Sequence, residues 1–375
     1  MKMPDPDNIF DTIFPEESFA EVSDALGRNL HCGFDFKPFS GESLFAQSLS
    51  KRLRKDFIVF HVDLQMVTGI WHFAIVLARA LVDAFEDEGK KAGMIKRLAM
   101  GGRLNIDRTA EGGMSFDVPA KSEISKLMST ILDLPELAGM EENKRSVVVL
   151  SGFERLEGIL GKPGMKMFLE KIGRQAITSY LLTGYDILPD ARKLGGNISG
   201  QVLERRADEI FSPGAVRDFI GKRFKDSGKD IPGDLLDSIL SVTSGRIELA
   251  LILSGRMKKA VSQTGAAIEW EGALDEAVNE FLVSSAPSYY ALWNQHKDRQ
   301  QSLLYGLAMD GDKNLYSEYF INRYGFGTAT NLQASLRGLA AKSILIKDGK
   351  KWGFADPFFR LWIRRQPSSN TTQAV

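Results

Sequence analysis

Phe36-Lys37-Pro38-Phe39-Ser40-Gly41-Glu42-Ser43 separates an apolar stretch, Leu30 to Phe36, from an amphipathic one, Leu44 to Leu53. A phosphate-binding loop of pattern G-x-x-x-x-G-K-[ST] would occupy this place, between a strand and a helix. In such a loop the glycines let backbone N–H groups wrap the phosphates, the lysine reaches the outer phosphates, and the hydroxyl holds magnesium. Gly41 and Ser43 satisfy the pattern. Phe36 replaces the first glycine, so a Cβ and a ring oppose close backbone approach, and Glu42 replaces the lysine. Two unit charges about 4 Å apart interact by roughly 4 kcal/mol at an effective dielectric near 20, so exchanging attraction for repulsion opposes phosphate binding strongly. Lys37, at the other end of the loop, is the residue that would serve as a relocated phosphate ligand. The plainer reading of residues 33 to 43 is a strand-to-helix turn without any such ancestry.

The flanking segments favour an alternating α/β domain. Phe19, Val22 and Leu26 share one face of a helix introduced by Pro15, and Phe57 to Val62 reads as a buried strand followed by an apolar helix from Trp71 to Phe85. This βαβα rhythm argues for a mostly parallel sheet covered by helices. A glycine-broken stretch, Gly101 to Gly113, interrupts it as a hairpin or exposed loop. A helix from about Ser122 to Leu132 then precedes Ser146-Val147-Val148-Val149-Leu150, the most strand-like run in the chain, which ends in Ser151-Gly152-Phe153. A helix around Met165 to Arg174 leads to a last strand, Thr178 to Gly184.

This order resembles the archaeal-type ATPases of the AAA+/STAND group, P-loop proteins with a helical lid and a C-terminal winged helix, and the resemblance covers nearly the whole chain. It implies an Asp-Glu pair after the aliphatic strand, the aspartate organising magnesium and the glutamate activating water. Ser151 and Gly152 stand there instead. It implies a small polar sensor on the next strand, matched loosely by Thr183 before Gly184-Tyr185. Ile210 to Ile220 looks like the strand and first helix of the lid, and Thr243-Ser244-Gly245-Arg246 takes the place of a Gly-x-Pro lid motif without its proline. Lys37, Gly41, Glu42, Ser43, Ser151, Gly152, Thr183 and Arg246 are therefore the positions of a degenerate nucleotide site. Loss of the lysine and both acids removes phosphate clamp, metal ligand and water activator together, so no catalytic residue and no cofactor are expected. The competing reading is a divergent ATPase that holds ATP or ADP with magnesium through Lys37, with Glu154 or Glu157 as a displaced acid. Arg174, Arg205, Arg206 and Arg246 are candidate arginine fingers, read more plainly as surface arginines.

The C-terminal part is better kept. Helices are expected over Lys297 to Met309 and Asn314 to Tyr324, and Thr328 is a good N-cap for a third through Leu332, Leu336 and Leu339. Ile344 to Phe354 reads as two strands around an Asp-Gly turn, a wing. Ala355-Asp356-Pro357-Phe358-Phe359-Arg360-Leu361-Trp362 resembles the terminal signature of the same ATPases. If this winged helix meets duplex DNA, Thr330, Asn331, Gln333, Ser335 and Arg337 are candidate base or backbone contacts, with Lys347, Lys350 and Lys351 beside phosphates. A protein-facing role is the alternative, the partner being an intact ATPase paralogue or another protein. Residues 293 to 365 hold twelve Lys/Arg against six Asp/Glu, while the whole chain is neutral with 48 of each. That +6 segment suits an anionic partner.

The expected domains are residues 1–200 for the α/β unit, 201–285 for the helical lid and 286–365 for the winged helix, with a disordered tail over 366–375. Cys32 is the single cysteine, which excludes an intrachain disulfide and a thiolate zinc site. No metal site is expected from the four histidines, which have no paired ligand spacing. His61 and Asp63 share a strand face as a polar pair, and no catalytic triad is visible. A cytoplasmic protein without a membrane span is the expectation.

Overall fold

The computed structural model describes residues 14, 16–102, 105–108, 114–117, 124–189, 192, 202–206, 211–263, 270 and 272–366. The expected tail lies outside these residues except for Gln366, as does Ile210 of the expected lid strand. The chain divides into two units, Met1–Lys37 with Gly41–Ala215, and Pro38–Ser40 with Val216–Val375.

The first unit is built on a five-stranded sheet. Its strands are β1 (His31–Asp35), β2 (Ile58–Asp63), β5 (Ser146–Ser151), β6 (Thr178–Gly184) and β7 (Val202–Arg206), ordered β2-β5-β6-β1-β7. Every neighbouring pair is parallel. The two middle strands are buried along their whole length, which is why they read as unbroken apolar runs rather than as alternation. Phe60, Val62, Phe73, Leu77, Leu81, Val148, Leu150 and Leu182 form the core between this sheet and the helices Ile70–Asp83 and Ile124–Glu142. Truncating one such phenylalanine to alanine costs about 3 to 5 kcal/mol. The start of β6 is also held by a side chain: the Glu136 carboxylate accepts from the Ala176 and Ile177 N–H groups and from the Thr178 hydroxyl, the last at 2.7 Å.

The glycine-broken stretch gives a two-stranded antiparallel sheet, β3 (Asn105–Arg108) with β4 (Met114–Asp117), the hairpin of the two expected alternatives. Two features differ from the sequence expectation. The helix expected from Met165 begins at Leu156 and is broken by Gly161, whose φ of 67° interrupts it just before Pro163. The strand anticipated next to Phe211 is found earlier, at β7.

The second unit contains helices Gly233–Thr243, Ile247–Gln263 and Ala273–Asn294, and most of Pro213–Asp226, followed by a winged helix. The winged helix comprises helices Asp298–Asp310, Glu318–Arg323 and Ala329–Ala340, the wing β8 (Leu345–Asp348) and β9 (Lys351–Phe354), and the terminal helix Pro357–Arg365. The middle helix starts four residues later than expected because Ser317 caps it, its hydroxyl accepting from the Phe320 N–H. Thr328 caps the third helix by accepting from Asn331 N–H, as read from the sequence. Asp356 caps the terminal helix through the Phe358 N–H at 2.8 Å and accepts from the Tyr289 hydroxyl at 2.7 Å. Among the described residues no helix is long and apolar enough to cross a membrane.

Candidate functional site

The strand register brings the loop-facing residues into one row. Asp63 pairs with Ser151, Ser151 with Thr183, and the next step pairs Asp35 with Gly184. All lie at the C-terminal edge of the parallel sheet, next to β1, where open α/β sheets bind ligands. The loop from Phe36 to Gly41 leaves β1 here, and Glu42 begins the helix Glu42–Leu53 after Gly41, which adopts the left-handed conformation at φ 89°.

Glu42 organises this edge. Its Oε1 accepts from the Gly152 N–H at 2.6 Å and from the Thr183 hydroxyl at 2.8 Å, and its Oε2 lies 3.4 Å from the Gln65 side-chain amide. Glu42 thus joins two of the positions singled out in the sequence, Gly152 after β5 and Thr183 on β6. Burial pushes its carboxyl up to about 7, aided by the Glu154 and Asp63 carboxylates and opposed by the hydrogen bonds from Gly152 and Thr183. Gly152 itself has φ of 71°, which turns its N–H toward Glu42 and which a larger residue would resist.

The other predicted positions fall around it. Phe36 is buried and turned into an aromatic cluster with Phe45 and Phe211, so its ring is a core element of the first unit. Pro38 has no N–H to offer a phosphate. Lys37 and Ser43 are half-buried at the two ends of the turn. Ser151 is buried, and its hydroxyl meets His61 Nε2 at 3.2 Å, so His61 has Ser151 as a hydrogen-bond partner as well as the Asp63 charge on its own strand. Glu154 accepts from the Tyr185 N–H at 3.2 Å, and Arg205 is ion-paired with Glu21. Arg174 and Glu157 are exposed.

Arg246 belongs to the second unit, with the loop tip Pro38–Ser40. It is buried, its guanidinium donates to the carbonyls of Pro38 and Phe354, and the Glu248 N–H donates to the Phe39 carbonyl at 3.2 Å. Its donors are directed at peptide carbonyls rather than presented as a finger. Gln65 and the His61–Ser151 bond were missed from the sequence, because only the strand register joins them.

This donor set is the inverse of what a magnesium triphosphate requires. A carboxylate stands where cationic charge is needed, one loop N–H is missing, and hydroxyl and backbone replace the two acids. The residues do not fit the group.

On the winged helix, Thr330, Gln333 and Arg337 are exposed on one face of the third helix, together with Ala334. Lys347, Lys350 and Lys351 are exposed on the wing, Lys347 lying 5.8 Å above the Trp352 ring. Two of the predicted contacts are corrected. Ser335 is buried, its hydroxyl donating to the Asn331 carbonyl at 3.1 Å, and Asn331 donates its side-chain amide to the Phe326 carbonyl at 2.9 Å. Both face the protein.

Residues 287–365 match the family model described as "Probable winged helix domain". Over 94% of this chain and 96% of theirs, the fold is similar to that of a Walker-type ATPase of Pyrococcus abyssi, with a TM-score of 0.63 at 14% identity. The fold is that of an AAA+-type ATPase with a winged helix. Two further structures share it. The ORC2 protein of Aeropyrum pernix, solved as ADPNP–ADP complexes, gives a TM-score of 0.57 at 12% identity over 95% of this chain and 96% of that one. The ORC1 protein of Aeropyrum pernix, in complex with DNA, gives 0.50 at 13% identity over 96% and 93%. No curated protein matches this chain in sequence.

Proposed function

We propose that this chain is a catalytically degenerate AAA+-fold protein that serves as a scaffold or regulator and recognises duplex DNA through its winged helix, acting alongside an intact ATPase. The observation that carries the first half is the Glu42 carboxylate bonded to Gly152 and Thr183. It puts a carboxyl group where the lysine of a phosphate-binding loop is expected and already takes up the Gly152 N–H and the Thr183 hydroxyl. The exposed lysines of the wing and the +6 segment support the second half, as does the DNA-bound state of the structurally similar ORC1 protein.

Calorimetric titration of the full chain with magnesium ATP tests the first half, the expected result being no binding. Micromolar binding that disappears in Lys37→Ala overturns it in favour of the divergent ATPase. A gel shift with duplex DNA tests the second half. Binding that weakens with salt and in Lys350→Ala/Lys351→Ala supports it, and absence of binding at low salt rejects it.

A further inference from the structure

The third helix of the winged helix presents a face whose composition goes beyond general DNA affinity. Thr330, Gln333, Ala334 and Arg337 are exposed, while Leu332, Ser335, Leu336 and Leu339 are buried. At about 100° per residue the four exposed positions fall within roughly one third of the helix circumference. Two of the polar residues near this face are already engaged within the protein, Asn331 with the Phe326 carbonyl and Ser335 with the Asn331 carbonyl. Gln333 and Arg337 are the long side chains left on it, one helical turn apart, with a methyl group, Ala334, at its flank.

Each has a matching base edge in a major groove. Glutamine pairs bidentately with adenine N6 and N7, arginine with guanine O6 and N7, and an alanine methyl packs on the thymine methyl. Four residues of helix advance about 6 Å, close to two base steps of about 3.4 Å. The occupant is argued from charge: residues 293 to 365 carry twelve basic residues against six acidic ones, and Lys347, Lys350 and Lys351 project from the adjacent wing. Such a surface suits a polyanion with a groove wide enough for a helix.

We infer that Gln333 and Arg337 are specificity-determining residues that read an adenine and a guanine separated by about one base pair in the major groove of duplex DNA, with the wing lysines on the flanking phosphates. The inference rests on the DNA reading above and can fail independently of it. Selection by the full chain from a randomised duplex library at low salt enriches sites with adenine and guanine at that spacing. Arg337→Ala then lowers the preference at the guanine by roughly 5- to 150-fold and leaves the adenine selected, and Gln333→Ala does the converse. Lys350→Ala/Lys351→Ala weakens all sequences alike. Both reader positions are exposed and alanine suits a helix, so the melting temperatures of these variants should stay close to that of the parent. Duplex binding without base preference, or a preference that neither substitution changes, overturns the inference while leaving the DNA reading in place. No duplex binding at low salt overturns both.

Discussion

Glu42 and His31 sit in the same domain with opposite pH behaviour. Glu42 is raised from an ordinary 4.5 to about 7, chiefly by burial. The native state therefore holds more protons than the unfolded chain between these values, and the contribution is full below 4.5 and lost as pH rises through 7. At about 1.4 kcal/mol per unit, the full effect is on the order of 3 kcal/mol. His31 is lowered from 6.5 to about 4 by burial, its Nδ1 accepting from the Tyr180 N–H at 3.1 Å, so its contribution is present above 6.5 and lost as pH falls through 4. The two slopes nearly cancel between 4.5 and 6.5. Denaturant unfolding across pH should expose them separately. Glu42→Gln stability should rise with pH over 4 to 6.5, and His31→Gln stability should fall over 4.5 to 7. Parallel curves for parent and Glu42→Gln would remove the buried carboxylate from the account.

At the scale of elements, the caps and close approaches set the local stability. Replacing Asp356 with alanine removes the cap of the terminal helix and the acceptor of the Tyr289 hydroxyl, and should cost about 1 to 3 kcal/mol in unfolding free energy. Gly184 ends β6 so tightly that an added Cβ would meet the Glu154 carboxylate, with Ile187 Cγ2 at 2.7 Å and the Phe153 N–H at 3.1 Å. Gly184→Ala should therefore destabilise the first unit by about 1 to 3 kcal/mol, and an unchanged melting curve would refute that crowding. These elements also mark what the sequence disclosed. β5 and β6 were legible because central parallel strands are buried on both faces and must be apolar throughout. β7 was not, because Val202-Leu203-Glu204-Arg205-Arg206 is a half-exposed edge strand, with Glu204 ion-paired to Arg192. The helix Glu88–Gly102 was missed for a similar reason, its lysines and glycines masking Met94 and Leu98, which are buried. The position of Glu42 was readable from the motif, but its partners were not. Gly152 and Thr183 lie 110 and 141 residues away, and only sheet register brings them within reach.

For the whole molecule, neutrality conceals an uneven charge distribution, since the +6 of residues 293 to 365 is balanced by −6 elsewhere in a chain with 48 basic and 48 acidic residues. A ligand that binds only the folded state raises stability by about 2.7 kcal/mol when present at 100 times its Kd. Magnesium ATP should therefore leave the melting temperature unmoved, while duplex DNA at low salt should raise it. The salt dependence identifies the groups responsible. If Arg337, Lys347, Lys350 and Lys351 neutralise up to four phosphates, log K should fall with log salt at a slope of at most about −3.6, and Lys350→Ala/Lys351→Ala should reduce that slope by about 1.8. Arg337→Ala separates base reading from backbone clamping at that residue, since it should leave the slope unchanged if Arg337 engages a base and reduce it by about 0.9 if Arg337 neutralises a phosphate. A slope indistinguishable from zero would show that the basic wing takes no part in holding the duplex.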